Sequence, residues 1–280
     1  MAEDAGGHGL VRLGIRVRRE RAEQALGALL PLLAAGTEET EPEPGVVEYA
    51  LYAPAAELPR DEEIRALAGD DVVGVVRREV APGWERRWHE HLRPVEVAAG
   101  ARRLRIRPPW SPAGGDDGAL ELVIDPGEQF GAGTHPTTQL CLELLAEAEP
   151  GGALCDWGAG SGILAVAAAR LGFGPVSAVE HAPGAAALIA ANAAANGVRV
   201  DVTEADLTAG EPPWAPTVTA NVPLEVLERV PIGRVPERLI VSGVLADRVD
   251  GLALALGRHG LAEAERRIHG DWGAVVLVGA

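Results

Sequence analysis

The chain has 280 residues, 47% of them hydrophobic, a length that suits two domains joined by a connector, and no apolar run reaches the roughly twenty residues of a membrane span. All 25 basic residues are arginine; without lysine, a phosphate-binding loop of the Walker type and a pyridoxal Schiff base are both excluded. The net charge of −16 is spread over both halves of the chain, a field that repels nucleic acid phosphates and attracts basic partners, so direct nucleic acid binding is not expected.

Residues 1–10 carry acids and glycines in place of a basic stretch and an apolar core, and are not expected to act as a signal peptide. Residues 10–17 (LVRLGIRV) alternate with period two, a strand signal. Residues 20–35 place Ala22, Leu26, Leu29, Leu30 and Leu33 at helical spacing. Residues 38–45 read as an acidic, proline-containing turn. A strand at 46–53, a short helix at 61–68 and a strand at 71–80 follow. This βαβαβ pattern describes a small α+β domain over residues 1–80, with no clustered His, Cys or carboxylates at ligand spacing. By elimination it is a recognition or scaffolding domain.

Residues 81–119 read as a connector. Trp84 and Trp88 share a helical face as a packing pair, while His89 and His91, two apart, point away from each other, so no metal site is expected. A strand follows within Arg103 to Trp110 and ends at prolines. From residue 120 strands alternate with longer helices: strands at 120–124, 153–157, 176–180, 198–203, 217–221 and 239–244, helices at 137–148, 163–171, 184–196, 224–229 and 247–259. Near-continuous apolar strands, each followed by a helix, predict a mostly parallel sheet covered on both faces over residues 120–280. Residues 262–269 and 272–279 read as a closing hairpin that adds an antiparallel strand. The two cysteines, Cys141 and Cys155, sit in apolar stretches as buried free thiols suited to a reducing cytoplasm.

The strongest local signal is Asp156-Trp157-Gly158-Ala159-Gly160-Ser161-Gly162, between a strand and the helix ILAVAAARL. Glycines there allow a tight turn and let a ligand approach free N–H groups. Dinucleotide-binding enzymes use similar turns, but the spacing here is G-x-G-x-G. Glu180 closes the second strand, where an acid suits a ribose diol; it points to an adenosine-type ligand without fixing the reaction. Asp206, after the third strand, is placed either to meet an adenine amine or as a solvated loop acid. Asn221 ends the fourth strand, on the edge where open parallel sheets bind ligands. Its sequel Val222-Pro223-Leu224 lacks the second proline and the aromatic of base-modifying and glutamine-modifying enzymes.

The tract PGEQFGAGTHPTTQLCLELL, then DWGAGSGILAVAAARLG, VEHAPGAAALIAANAAANGV and ANVPLEVL, with Trp84, Trp88 and Pro94 before them and GDWGAVVLV at the end, resemble the ribosomal protein L11 methyltransferase family in order and spacing. The likeness covers most of residues 81–280. It implies a Rossmann-like class I methyltransferase domain behind a ferredoxin-like recognition domain, with S-adenosylmethionine held by Thr138, Gly158, Glu180 and Asn221; the residues themselves add Gly160 of the glycine turn and Asp206 as further candidates for the cofactor site. It further implies methylation of amines on a basic ribosomal protein, with Asn221 orienting the acceptor, no metal and no membrane partner. The chain departs from the family at Ala132, at Ala159 and at Val179-Glu180-His181-Ala182, where the family usually has V-D-I-D. The rival readings are a methyltransferase of another protein lysine or of a small-molecule amine, a nicotinamide-type oxidoreductase using the same nucleotide site, and a silent binding module. The oligomeric state is not legible.

Overall fold

The alternation at the N-terminus forms a strand in the structure, a computed structural model that describes residues 10–29, 32, 38–80, 92–127 and 129–279. The chain divides into two units, Met1–His91 and Leu92–Ala280. The first contains β1 (Leu10–Arg18), α1 (Ala22–Leu29), β2 (Glu38–Glu43), β3 (Val46–Pro54), α2 (Asp61–Ala68) and β4 (Val72–Glu79). Its antiparallel sheet has the order β2-β3-β1-β4, the ferredoxin-like arrangement. Leu13, Ile15, Val17, Val47, Tyr49 and Leu51 bury one face of the sheet with Ala25, Leu29, Ile64 and Ala68 of the helices. Strand side chains alternate between faces, so Arg12, Arg16 and Glu48 lie on the other face. There the buried Glu48 carboxylate pairs with Arg12 at 2.7 Å and Arg16 at 2.6 Å.

Residues 38–45, expected to be a turn, are mostly β2; only Pro44-Gly45 at its end bend back, with Gly45 at φ +80°. β2 is an edge strand paired on one side only, so its acids and Pro42 are tolerated where a central strand would reject them. Within the helix expected at 20–35, α1 accounts for Ala22–Leu29; residues 30, 31 and 33–35 lie outside the described residues. Trp84, Trp88, His89 and His91 lie outside them as well.

The second unit opens with a three-stranded sheet in the order β5-β6-β7, made of β5 (Val95–Ala99), β6 (Arg102–Arg107) and β7 (Leu120–Val123). Residues 95–107, read from sequence as part of a connector, thus belong to this unit, because Val97, Ala99, Leu104 and Ile106 bury into the same core as Leu140, Leu144 and Leu145. Next come α3 (Pro136–Glu147), β8 (Leu154–Trp157), α4 (Ile163–Leu171), β9 (Val176–Glu180), α5 (Ala185–Ala195), β10 (Asp201–Glu204), β11 (Thr217–Asn221) and α6 (Leu224–Leu227). The chain closes with β12 (Arg238–Leu245), α7 (Val249–Gly257), β13 (Leu261–His269) and β14 (Trp272–Gly279).

These strands make a seven-stranded sheet, β10-β9-β8-β11-β12-β14-β13. β8 to β12 pair in parallel, and β14 runs antiparallel to both of its neighbours. Apolar cores fill both faces, one with Leu154 and Ala178, the other with Cys155 and Val179; the thiols Cys141 and Cys155 are buried. From β8 the chain winds outward through β9 and β10, then returns to β11 on the other side of β8. That reversal opens a crevice at the carboxyl ends of β8 and β11.

Candidate active site

The turn after β8 stands at that crevice. The N–H groups of Gly158 and Ala159 donate to the Val179 carbonyl at 2.9 and 3.0 Å, which bends the chain back over β9. Gly158 and Gly160 adopt φ of +71° and +53°, a region that L-residues enter only with strain. Space is equally restrictive. A Cβ on Gly158 would stand 2.2 Å from Val222 Cγ1, and one on Gly160 2.5 Å from the Phe130 carbonyl oxygen.

The glycine-rich tract before α3 lies directly on this turn. Ser161 donates its N–H to the Phe130 carbonyl at 2.9 Å and its hydroxyl to the Gly131 carbonyl at 2.8 Å. The two most distinctive motifs of the sequence therefore form one hydrogen-bonded layer; Glu128 of the tract is outside the described residues. His135 caps α3: its Nδ1 accepts from the Thr137 N–H at 3.3 Å and lies 2.7 Å from the Thr137 hydroxyl. Its ring meets Phe130 and Trp272 edge-on. Burial pushes the imidazole down to about 4, so it is neutral near pH 7.

The helix that this cap starts carries Thr138 into the crevice, where its buried hydroxyl accepts from Asn221 Nδ2 at 3.2 Å. Asn221 Oδ1 is buried and has no protein partner. An unsatisfied buried acceptor is costly unless something else supplies a donor. Asp156, one strand away, is in a similar state. Its Oδ1 accepts from the Thr219 hydroxyl at 2.6 Å, while Oδ2 is buried without a partner. Burial pushes this carboxyl up to about 7, against the lowering effect of the Thr219 hydrogen bond.

Glu180 closes β9 on the opposite flank and is buried. One carboxylate oxygen, Oε2, accepts from the Gly160 N–H at 2.8 Å. The other accepts from the N–H groups of His181 and Ala182 at 2.8 and 3.1 Å. Of the residues expected from sequence, the fold thus joins Gly160 to Glu180 and Thr138 to Asn221, with Gly158 packed beside Val222. Asp206 is on the loop after β10 and makes no bond to the others. Its Oδ1 accepts from the Thr208 N–H and hydroxyl at 2.7 and 2.9 Å, which hold its carboxyl below the usual range.

Sequence reasoning did not find Asn192, whose side chain ties the two loops together. Its Nδ2 donates to the carbonyls of Asp125 and Ser161, and its Oδ1 accepts from the Asp125 N–H. The available signal was a pair of asparagines four apart, Asn192 within an alanine-rich helix and Asn196 at its carboxyl-terminal cap, both buried. Among the described residues, no three His, Cys, Asp or Glu side chains gather so as to hold a metal, and no helix is long and apolar enough to cross a membrane. The site therefore offers a backbone cradle shaped by glycine and, in Asn221 Oδ1, a buried acceptor without a protein donor. These are features suited to a polar nucleoside-type ligand and an N–H-bearing group beside it.

Comparison with known proteins gives this arrangement a lineage. The family model for ribosomal protein L11 methyltransferase (PrmA) matches residues 73–279. A protein of Pelotomaculum thermopropionicum named ribosomal protein L11 methyltransferase is 39% identical over 204 residues, covering 69% of this chain and 64% of that protein. One of the same name from Myxococcus xanthus is 31% identical over 242 residues, 82% of this chain and 81% of the relative. The matched region thus spans a little under two-thirds of the first curated relatives, 64% and 65% of their lengths. Among solved structures, ribosomal protein L11 methylase from Lactobacillus delbrueckii subsp. bulgaricus superposes with a TM-score of 0.58 at 25% identity, over 66% of this chain and 99% of that one.

Proposed function

Since the chain belongs to the ribosomal protein L11 methyltransferase family, we propose that it transfers methyl groups from S-adenosylmethionine to lysine side chains, the α-amino group, or both, of the large-subunit ribosomal protein L11. The observation that carries this reading is Asn221: its amide nitrogen is held by Thr138 while its oxygen is buried without a partner at the carboxyl end of β11. Thr138, Gly158, Gly160, Glu180 and Asn221 would hold S-adenosylmethionine, with Asp206 within the loop that would reach its adenine amine. Bound there, the sulfonium supplies an already activated methyl group, so what is left to the protein is alignment and exclusion of water.

An ammonium has no lone pair to attack with, so the acceptor must enter as a neutral amine. The free Oδ1 of Asn221 takes one of its N–H groups and aims the lone pair; the proton leaves to water. His135, held neutral and engaged at the helix cap, is a weak base near pH 7 and serves to position the loop. Activity should therefore rise with pH toward the amine pKa. We assign substrate recognition to the ferredoxin-like unit at residues 1–80, transfer to residues 120–280, and the work to the cytoplasm. The acidic surface would steer the basic substrate, so added salt should slow the encounter.

Calorimetry with S-adenosylmethionine, followed by mass spectrometry of ribosomal protein L11 incubated with both, tests the proposal. Mass gains in whole methyl units, lost in an Asn221→Ala variant even at saturating donor, support it. Donor binding without transfer to that protein overturns the substrate assignment, and no donor binding overturns the reaction itself.

A further inference from the structure

Level with the Asn221 amide, β12 interrupts its ladder with β14. The two strands pair at Val241–Val275 and again at Val244–Gly273, so Ser242 and Gly243 together oppose the single residue Ala274. A bulge of this kind bends its strand and re-aims what lies beside it. The Ser242 hydroxyl ties the bulge down by donating to the Gly273 carbonyl at 2.8 Å. Toward β11, Ser242 is the register partner of Asn221, whose Oδ1 is buried without a partner.

Gly243 takes up the bend with φ +93°, and it is pressed against backbone, not against a side chain. A Cβ there would stand 2.7 Å from the Val222 carbonyl carbon, 2.9 Å from the Val222 nitrogen, and closer still to the carbonyl oxygen. The side chain of the same Val222 fills the space at Gly158. Gly158 follows β8 and Gly243 belongs to β12, and these strands are the two neighbours of β11. Val222 is therefore gripped from both sides, immediately after Asn221. Pro223 comes next as the cap of α6, and its ring restricts how far the peptide can swing away.

We infer that Gly243 is a positioning residue for methyl transfer: having no side chain, it lets the Val222 backbone seat on the β12 bulge, and that seat sets where Asn221 Oδ1 meets the acceptor amine. This rests on the acceptor role of Asn221 proposed above. A methyl at Gly243 must push its backbone neighbours out to about 3.5 Å, a movement approaching 1 Å, and misplacement by about 1 Å can cost on the order of a hundredfold in rate.

The test compares Gly243→Ala with Gly260→Ala in steady-state methylation of ribosomal protein L11 and in calorimetry with S-adenosylhomocysteine, at temperatures where melting curves show each variant folded. Gly260, between α7 and β13, also has a positive φ, +85°, but a Cβ there meets nothing within 4 Å. It carries the cost of a left-handed backbone without the collision. Gly243→Ala should lose about tenfold to a hundredfold in kcat while its affinity for S-adenosylhomocysteine changes by less than about threefold. Gly260→Ala should keep the wild-type kcat. Ser242→Ala, which unties the bulge and adds no atom, should lower kcat by about threefold or more, and it carries the test if Gly243→Ala does not fold. Wild-type kcat in folded Gly243→Ala, or in Ser242→Ala where only that variant folds, overturns the positioning role. So does a kcat loss that Gly260→Ala shares, or a loss confined to affinity for S-adenosylhomocysteine. A wild type that binds S-adenosylhomocysteine yet methylates nothing on ribosomal protein L11 overturns the substrate reading itself, before any variant is compared.

Discussion

Asn192 donates from Nδ2 to the Ser161 carbonyl at 2.9 Å, so one amide on α5 holds the end of the glycine-rich turn. The same nitrogen reaches the Asp125 carbonyl at 2.8 Å, and Oδ1 accepts from the Asp125 N–H at 2.9 Å, an exchange like that between paired strands. One helix turn on, Asn196 repeats it with Val123, accepting its N–H at 2.9 Å and donating to its carbonyl at 2.7 Å. Truncating Asn192 to alanine strands buried backbone groups in both loops. It should destabilise the second unit by about 2–3 kcal/mol and weaken donor binding, as read by urea unfolding and calorimetry. Donor affinity equal to wild type would mean that the two loops hold their geometry without this tie.

The two glycines should respond differently to repair. In Gly158→Ala the new methyl meets the tip of a side chain, Val222 Cγ1, whereas in Gly160→Ala it meets the backbone carbonyl of Phe130. Adding Val222→Ala should therefore recover much of the stability lost in Gly158→Ala, leaving a residue of about 1–2 kcal/mol from the left-handed backbone. No neighbouring truncation should repair Gly160→Ala. Melting temperatures of the single and double variants decide the matter.

In the first unit, burial alone would raise the Glu48 carboxyl, but hydrogen bonds from Arg16 and Arg12 outweigh it and hold the group below its usual value. A depressed folded pKa gives stability that is present above the unfolded value of 4.5 and is lost as pH falls through the folded one. Acid unfolding of this unit should begin below about pH 4.5. Glu48→Gln should be less stable at pH 7 and show a flatter acid limb in circular dichroism. A parallel displacement of the whole curve would argue that the pair contributes nothing that titrates.

His135 and Asp156 pull the second unit in opposite directions. His135 titrates at 6.5 when unfolded and about 4 when folded, so the unfolded chain binds more protons between those values and stability rises with pH. Asp156 titrates at 3.8 unfolded and about 7 folded, so the folded chain holds the additional proton and stability falls as pH rises through that window. The two trends partly cancel in wild type. Asp156→Asn should expose a steeper gain in stability from pH 4 to 6.5, and His135→Asn, which keeps a capping side chain, should expose the loss. Chemical denaturation at half-unit pH steps measures both slopes.

How far the fold could be read in advance depended on where each signal resides. Helix α4 announces itself by a continuous apolar run between Gly162 and Gly172, and β8, β9 and β11 by short runs rich in apolar or β-branched residues, which are local properties. β2 does not: Glu38–Glu43 is acidic and contains proline, and only its place at the sheet edge makes it a strand. Val97, Ala99, Leu104 and Ile106 alternate as short strands do, yet the surface that buries them is about forty residues downstream on α3. In the site, Glu180 and Asn221 are legible because sheet topology places strand ends there. Asn192 is not, since its partners Asp125 and Ser161 lie 67 and 31 residues away and nothing near it in sequence hints at either. Asp156 was visible as an acid before the turn, but its missing partner and raised pKa come from enclosure by the packed sheet.

Cys141 and Cys155, sealed on α3 and β8, give the second unit a built-in clock. Burial holds the first far above the usual thiol range and pushes the second up to about 11, and the thiolate is the species that alkylating reagents consume. Since both cysteines of the chain lie in the second unit, iodoacetamide uptake would be timed by transient openings of its sheet, and the ferredoxin-like unit would be silent to the reagent. The order in which the two masses appear would then tell whether α3 peels away before β8 is laid bare, or whether both let go together.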